Sequence, residues 1–234
     1  MSAYITSNPH FDDTTMTTDL AASLAASIAC RTILVTGLTP SSFDAHFALT
    51  TVAHHPKLLM LAGGSASKLA HIAAELEVAH PGVATRSLEL DLSSQVQVRR
   101  AAAEMLSWPE FQSVDVLVNN ARVMASAYGM AYRLEMHFGT NHVDHFLLTN
   151  LIMPRLLASA EDRGGRVVNV SSDGHRLSDI RWDDARAEQA NLISSLLMMC
   201  AGREDVPQVL WGHDREPGLQ GFAALLPPPG SDRH

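Results

Sequence analysis

The chain has 234 residues, of which 46% are hydrophobic and 18% charged, a balance typical of a globular protein with one core. Its formal net charge of −8 argues against a nucleic-acid partner, because phosphate binding requires clustered Lys and Arg. No apolar run is long enough to cross a bilayer, and the first residues lack the basic region of a signal peptide. We therefore expect a soluble, cytoplasmic protein with neither a nucleic-acid nor a membrane partner.

Apolar runs and helical periodicities alternate along the chain. Near the start, Asp19 is placed to cap a short helix through Ile28. The predicted strands are 33–35, 57–61, 83–90, 114–118 and 166–170, and the predicted helices are 44–54, 67–80, 96–106 and 143–157. Strands that alternate with helices predict right-handed crossovers and hence an α/β fold, a doubly wound parallel sheet with helices on both faces.

The amino-acid composition and periodicity divide the chain into three parts. Residues 1–30 form an arm with a short helix, residues 31–184 carry the alternating pattern, and residues 185–234 diverge from it. In this last part we predict one helix over 185–200. From residue 202 onward the chain is rich in Gly, Pro and charge, which predicts an irregular segment with 208–211 as a candidate strand. The C-terminal part of the sheet is therefore expected to be incomplete or irregular.

Four short motifs follow the predicted strands in order. They read Leu-Val-Thr-Gly at 34–37, Leu-Asp-Leu at 90–92, Val-Asn-Asn-Ala at 118–121 and Val-Asn-Val-Ser-Ser at 168–172. Their order and spacing resemble the short-chain dehydrogenase/reductase family, in its fungal and retinol-dehydrogenase-like branch. The resemblance implies a Rossmann-like, NAD(P)-binding domain over 31–184. It also implies an oxidoreductase that transfers hydride between NAD(P) and a small carbonyl or alcohol, with a place in secondary metabolism.

The family's Thr-Gly-x-x-x-Gly-x-Gly turn, which cradles the dinucleotide phosphates, is altered here. Gly37 keeps the first glycine, Ser41 replaces the second, and Phe43 or Asp44 replaces the third. A Cβ at the second position crowds the phosphates or forbids the backbone angle. A carboxylate at Asp44 suits the helix dipole but repels a diphosphate. Ser41 and Ser42 can still donate hydrogen bonds, so a weakened cofactor site and a merely capped loop both stay open.

Other cofactor contacts are implied by the resemblance. Asp91 and Leu92 match the family's adenine-contacting pair, and the residues that match its Asn-Asn-Ala motif are Asn119, Asn120 and Ala121. The glycine expected next is Arg122, which adds bulk beside the ribose and nicotinamide path. Asp91 as a helix cap and Asn119 as a stabiliser of the sheet are the alternatives. The choice between NAD and NADP stays open, because Gly64 replaces the arginine that faces the 2′-phosphate in many relatives.

The catalytic set that the resemblance implies is incomplete. Asn141 matches the asparagine that holds a water in the family's proton relay, and Ser172 matches the serine that hydrogen-bonds the substrate oxygen. The Tyr-x-x-x-Lys that should follow is missing, because the last tyrosine is Tyr132 and the last lysine is Lys68. In the family's register, residues 184 and 188 stand in those places. Both are acids, and neither can supply the missing proton donor or cation at neutral pH.

Three interpretations of function stay open. The first is an oxidoreductase that acts on a small-molecule substrate through Asn141 and Ser172. The second is a catalytically inactive relative that serves as a binding or interaction module or was recruited to a non-redox reaction. The third is a damaged copy of an active enzyme, in which a wrong splice or reading frame begins after residue 184, where the amino-acid composition changes abruptly. The resemblance also implies a homodimer in which helices pair across the interface.

The histidines offer a further candidate site. His137, His142 and His145 lie close together in the sequence, and the last two share a helical face. No acid or cysteine completes a known metal-binding spacing, so we expect no metal. A hydrolase-type pair of Ser172 with His175 is also conceivable, but that serine lacks a Gly-x-Ser-x-Gly elbow.

Overall fold

A computed structural model describes residues 11, 15–123, 130–131, 134–163, 165–172 and 220–226. The predicted helix over 185–200, the candidate strand 208–211, and residues 175, 184 and 188 lie outside this described part of the chain.

Six strands form the main sheet, and two short strands form a separate hairpin. The strands are β1 (Thr32–Thr36), β2 (Leu58–Gly63), β3 (Thr85–Glu89), β4 (Val116–Asn119), β5 (Met130–Ala131), β6 (Leu134–Glu135), β7 (Arg166–Ser172) and β8 (Gln220–Leu226). The main sheet is parallel throughout, in the order β3-β2-β1-β4-β7-β8, and β5 pairs with β6 antiparallel. The chain runs outward in both directions from β1, so the carboxyl ends of β1 and β4 flank the point where a doubly wound sheet binds ligands.

Helices cover both faces of this sheet. They are α1 (Thr17–Ser23), α2 (Ala25–Ile28), α3 (Phe43–Val52), α4 (Ala66–Ala79), α5 (Gln95–Ser107), α6 (Met136–Phe138), α7 (Asp144–Leu151) and α8 (Met153–Arg163), with a π-helical turn (Gly139–Val143) between α6 and α7. Alternate residues of β1 enter two different cores. Ile33 and Val35 pack with the buried side chains of α3 and α4, whereas Leu34 packs with those of α5, α7 and α8. The predicted doubly wound parallel sheet is therefore confirmed.

Two predicted helices are interrupted. The first is broken at Leu24 into α1 and α2, and Asp19 lies in the first turn of α1, where the N-cap is Met16 without a side-chain hydrogen bond. The prediction that Asp19 caps this helix is therefore wrong. The helix predicted over 143–157 is divided at Ile152, whose ψ is 5°. Apolar periodicity continues across that break because α7 and α8 pack on the same core.

Strand β8 lies in a stretch for which composition predicts an irregular chain. It pairs with β7 over seven residues, from Arg166 opposite Gln220 to Ser172 opposite Leu226. The surrounding glycines and prolines dominate the composition, but residues 221–226 are an apolar run, and a strand of a parallel sheet requires no more than that. The overall composition after residue 202 therefore does not indicate the strand over 220–226.

None of the helices in the described ranges is both long enough and apolar enough to cross a membrane.

Candidate functional site

A cleft of about 200 Å³ opens at the carboxyl ends of β1 and β4. Its walls are the turn after β1, the first turn of α3 and the loop after β4. The lining residues are Gly37, Thr39, Ser42, Phe43, Asp44, Asn120 and Arg122. The cleft thus lies where the sheet topology places a ligand and where the altered glycine turn was predicted to hold phosphates.

Thr36, the last residue of β1, joins two walls of this cleft. Its buried Oγ1 accepts hydrogen bonds from the backbone N–H groups of Asn120 and Ala121, each at 3.0 Å. The Asn120 side chain in turn donates to the Thr36 carbonyl at 3.4 Å. The predicted cofactor residues Asn120 and Ala121 therefore fix the loop after β4 against the turn after β1. Sequence reasoning did not single out Thr36, because its partners lie more than 80 residues away.

Gly37 and Ser41 both have positive φ angles in the turn after β1. Gly37 has φ of +90°, and a Cβ there would lie 2.4 Å from the Ala121 Cα, a distance that no side chain can accept. Ser41 has φ of 60°, in the left-handed region that favours glycine, and it is exposed. The turn keeps its glycine-like backbone at residue 41 although the glycine itself has been replaced.

Ser42 is the N-cap of α3. Its Oγ accepts a hydrogen bond from the Ala45 N–H at 3.2 Å and donates to the Thr39 carbonyl at 2.6 Å. A serine cap satisfies one of the orphan N–H groups at the start of a helix. The capped-loop interpretation therefore describes what the Ser42 hydroxyl does in this structure.

Asp44 and Arg122 bring opposite charges into the cleft. Burial raises the pKa of Asp44 to about 6. The Arg122 guanidinium and hydrogen bonds from Ser42 and Asn120 lower this pKa, but they offset the effect of burial only in part. The N-terminus of α3 and Arg122 both suit an anionic diphosphate, because backbone N–H groups and a guanidinium favour negative charge. The ionised carboxylate of Asp44 opposes it. The residues present thus fit a dinucleotide diphosphate in position and donor chemistry, with one opposing charge.

Asp91 and Leu92 shape the turn before α5. The Asp91 Oδ1 accepts from the backbone N–H and the hydroxyl of Ser93, at 2.8 and 2.7 Å. The N-cap of α5 is Ser94, which accepts from the Gln97 N–H, so the alternative interpretation of Asp91 as the helix cap is wrong. Leu92 is buried in the core beneath this turn.

Asn119, at the end of β4, ties the centre of the sheet to its neighbours. Its Nδ2 donates to the Thr149 Oγ1 of α7 at 3.2 Å and to the Asn169 Oδ1 of β7 at 2.9 Å. Within the described part of the chain its Oδ1 has no hydrogen-bond partner. These contacts support the interpretation of Asn119 as a stabiliser of the sheet.

The two predicted catalytic residues lie on different elements. Asn141 occupies the π-helical turn, where its Oδ1 accepts from the Val123 N–H at 2.9 Å and its Nδ2 donates to the Val123 carbonyl at 3.2 Å. π-helical turns occur often at functional sites, but here both ends of the amide hold the loop after β4. Ser172 ends β7, at the same edge of the sheet as Gly37.

His145 and Thr36 form a buried contact beneath the cleft. The His145 Nδ1 lies 3.2 Å from the Asn141 carbonyl, and its Nε2 lies 3.1 Å from the Thr36 Oγ1. A ring that donates from Nδ1 to a carbonyl accepts at Nε2, so the Thr36 hydroxyl donates to it. Burial lowers the pKa of His145 to about 4, which keeps this ring neutral at physiological pH.

The other two histidines of the predicted cluster have separate partners. His137 pairs through Nδ1 with the buried Glu135 carboxylate, and His142 stacks on the Phe138 ring with centroids 5.4 Å apart. In the described ranges, no group of three or more His, Cys, Asp or Glu residues is placed to hold a metal ion.

Asp144 is a buried acid that sequence reasoning missed. It begins α7 with no exposed surface, and neither carboxylate oxygen has a hydrogen-bond partner among the described residues. Burial raises the pKa of Asp144 to about 6, the nearby Asp91 carboxylate adds to the rise, and the Gln95 side chain opposes it. The available signal in the sequence was the position of Asp144 four residues before Leu148, on the same side of the predicted helix.

Comparisons with known proteins place the chain in a family. The short chain dehydrogenase family matches residues 20–182. The oxidoreductase fscI of Fusarium equiseti is 30% identical over 177 residues, which are 74% of this chain and 68% of that protein. Human retinol dehydrogenase 14 is 38% identical over 134 residues, which are 57% of this chain and 37% of that protein.

A solved structure shares the fold. The crystal structure of NADH-dependent reductase A1-R′ complexed with NAD has a TM-score of 0.67 at 16% identity, and the match covers 87% of this chain and 80% of that one. The fold is the Rossmann-like fold, and the chain belongs to the short-chain dehydrogenase family of oxidoreductases. The chain spans 37% of the length of human retinol dehydrogenase 14. Membership of this family supports a nicotinamide cofactor and a small-molecule substrate as the classes of ligand.

Proposed function

We propose that the protein binds NAD or NADP in the cleft between β1 and β4 and transfers hydride between the nicotinamide and a small carbonyl or alcohol. One observation carries the proposal: in a chain of this family, the cleft at the switch point of the sheet presents the N-terminus of α3 and the Arg122 guanidinium to a ligand. The nicotinamide, when bound, supplies or accepts the hydride. A cytoplasmic location and a role in secondary metabolism belong to the same proposal.

Each group of residues would contact a different part of the dinucleotide or the substrate. The turn from Gly37 through Ser41 and Ser42 would meet the diphosphate. Asp91 and Leu92 would lie at the adenine end. The residues proposed to line the ribose path are Asn119, Asn120 and Ala121. Asn141 and Ser172 would serve the substrate end, with Ser172 hydrogen-bonding the reacting oxygen and Asn141 holding the loop that borders it.

A second candidate function is binding without redox chemistry. Two observations favour it. No tyrosine or lysine follows Ser172 in the sequence, so the family's proton donor has no counterpart there. The side-chain amide of Asn141 is engaged at both ends by Val123, which gives Asn141 a role in holding the loop after β4 that requires no substrate. In this case the chain would act as an interaction module or in a non-redox reaction.

Calorimetric titration of the purified protein with NADPH and with NADH tests the first candidate. Micromolar binding of either dinucleotide is the expected result. Binding would then justify a screen of small carbonyl compounds that follows nicotinamide absorbance. In that screen, Ser172→Ala should reduce the rate at least tenfold, whereas Ser107→Ala, on the exposed end of α5, should leave it unchanged.

Two outcomes separate the candidates. If the folded protein binds neither dinucleotide up to millimolar concentration, the oxidoreductase proposal fails and the interaction module remains. If it binds a dinucleotide but turns over no carbonyl substrate, the cofactor part of the proposal stands and the hydride-transfer part fails. The homodimer is a separate proposal, and light scattering of the same preparation tests it.

A further inference from the structure

We propose that Asp44 couples diphosphate binding in the β1–β4 cleft to the uptake of one proton, so that the cleft accepts a dinucleotide with the Asp44 carboxyl group protonated. This inference rests on the proposed function, because it assumes that the cleft binds the diphosphate of NAD or NADP. It goes further by naming the residue that sets how strongly that binding depends on pH.

The position of Asp44 is the first part of the argument. It follows the N-cap Ser42 by two residues, so its carboxyl group lies in the first turn of α3, and it lines the cleft. A diphosphate held by this helix N-terminus would occupy the same wall. Two negative charges a few ångströms apart in a partly desolvated cleft repel strongly, because the effective dielectric constant there is far below that of water.

The surroundings of Asp44 are the second part. Its hydrogen-bonding neighbours are the Ser42 hydroxyl, with the two oxygens 3.5 Å apart, and the Asn120 side chain. Helices α1 and α4 also pack on α3, but among the described residues the charged group that acts on Asp44 is Arg122, from the loop after β4. Arg122 is exposed, so it offsets the burial of Asp44 only in part, and burial leaves the pKa of Asp44 at about 6.

The Asp44 carboxylate and a bound diphosphate compete for the positive charge of Arg122. With no ligand at neutral pH, most Asp44 groups are ionised, and the Arg122 charge favours that ionised form. An arriving diphosphate competes for that guanidinium and drives the carboxylate to take a proton from solvent. The protonated carboxyl can then donate a hydrogen bond to a phosphate oxygen. Of the described residues that line the cleft, Asp44 is the one with a side chain that titrates between pH 5 and 8.

Linkage fixes the size of the effect. If the bound state holds Asp44 protonated, the dissociation constant is flat below about pH 5.5 and rises about tenfold for each pH unit above the pKa of the free protein. Binding at pH 7.5 then takes up close to one proton per ligand. Asp44→Asn removes both effects and tightens binding at pH 7.5 by on the order of tenfold or more.

The experiment is calorimetric titration with ADP-ribose, which carries the adenosine and the diphosphate, lacks the charged nicotinamide, and has no 2′-phosphate that titrates in this range. Titrations run from pH 5.5 to 8, and at pH 7.5 in two buffers of different ionisation enthalpy, which report proton uptake directly. The proteins are the natural chain, Asp44→Asn, and the matched control Asp19→Asn. Asp19 is exposed on α1, which packs on the same helix outside the cleft.

The expected result is pH-dependent binding with proton uptake in the natural chain and in Asp19→Asn, and pH-independent binding without uptake in Asp44→Asn. Binding to the natural chain that changes less than twofold between pH 6 and 8 with no proton uptake overturns the inference but leaves the proposed function standing. Equal effects of the two substitutions also overturn it. No binding to any of the three folded proteins overturns the proposed function and this inference together. If Asp44→Asn fails to fold, the buffer comparison on the natural chain still overturns the inference when it detects no proton uptake at pH 7.5.

Discussion

At the scale of single residues, the environment of Asp144 opposes the charged form of its carboxyl group. A carboxyl group with no exposed surface and no hydrogen-bond partner in the described part of the chain is penalised mainly when it is charged. Its pKa of about 6 places the change of charge just below neutral pH. Between α5 and α7, the Asp144 carboxyl group is therefore neutral below about pH 6 and is ionised, although buried, at higher pH.

We predict that Asp144→Asn raises the free energy of unfolding at pH 7.5 by roughly 1–2 kcal/mol. A carboxyl group with a raised folded-state pKa contributes stability that is present below its unfolded pKa and is lost as the pH rises through the folded value. Here that window runs from the ordinary value of 3.8 to about 6. The stability that Asp144→Asn gains over the natural chain should therefore disappear by about pH 4, because Asp144 of the folded natural chain is protonated there and also carries no charge.

Urea denaturation at pH 4 and pH 7.5 measures this. The matched control is Glu104→Gln, which also removes one negative charge but from the exposed surface of α5. An Asp144→Asn effect that is the same at both pH values, or one that Glu104→Gln reproduces, would show that desolvation of Asp144 is not its cause.

At the scale of elements, the π-helical turn and the loop after β4 behave as one unit. Asn141 supplies the link, because its amide bonds both backbone groups of Val123 and its own carbonyl meets His145 at the start of α7. A loop backbone that is satisfied by a side chain keeps its conformation without belonging to a sheet. The π turn thus positions the wall of the cleft that carries Asn120 and Arg122.

We predict that Asn141→Ala lowers the free energy of unfolding by about 1–3 kcal/mol, because it leaves the N–H and carbonyl of the partly buried Val123 without their partner. The amide proton of Val123 should also exchange much faster. Hydrogen exchange followed by NMR or mass spectrometry measures the local effect, and urea denaturation measures the global one. Asn150→Ala is the control, since Asn150 makes one exposed hydrogen bond to the Phe146 carbonyl within α7. An unchanged exchange rate at Val123 would contradict the role of Asn141 in holding the Val123 backbone.

The sequence predicts elements better than it predicts contacts between them. β1 was placed from an apolar run, and its bounds extend to Thr32 and Thr36 because these two threonines also join the ladder. The altered turn at Gly37 and the acid at Asp44 were recognisable because motif residues keep a local order. The Thr36–His145 contact spans 109 residues, and no local pattern encodes such a pairing. For the same reason the burial of Asp144 became visible only when α5 and α7 were packed together.

At the scale of the whole molecule, the two ends of the sheet differ in how well their polar groups are satisfied. The carboxyl end carries the cleft, the strained turn and an acid with a shifted pKa. At the amino end, the Asp115 carboxylate accepts from the Thr32 N–H and the Ser159 hydroxyl, each at 2.7 Å, and from Arg31 at 3.3 Å. Asp115 thus joins β1, the start of β4 and α8. The proposed ligand cleft and the hydrogen-bonded Asp115 carboxylate therefore lie at opposite ends of the same strands.

We predict that Asp115→Ala lowers the free energy of unfolding by about 2–4 kcal/mol, because it leaves buried donors on two elements without an acceptor. Arg31→Gln should cost less than Asp115→Ala, since the Asp115 carboxylate then still accepts from the Thr32 N–H and the Ser159 hydroxyl. Urea denaturation compares the two variants. ADP-ribose affinity of the folded Asp115→Ala protein should match that of the natural chain, and a loss of affinity would contradict the separation of the two ends.

Gly37 has a consequence for how relatives of this protein are recognised. Its missing side chain is required by the Ala121 backbone, which would lie 2.4 Å from a Cβ, and this requirement exists whether or not a nucleotide ever enters the cleft. A descendant that had abandoned dinucleotides would still be held to glycine at this position by the packing of its own loops. A comparison that separates active from inactive members of this family should therefore give little weight to the first glycine of the turn. Residue 44, whose side chain lines the cleft, is the better indicator of what the cleft binds.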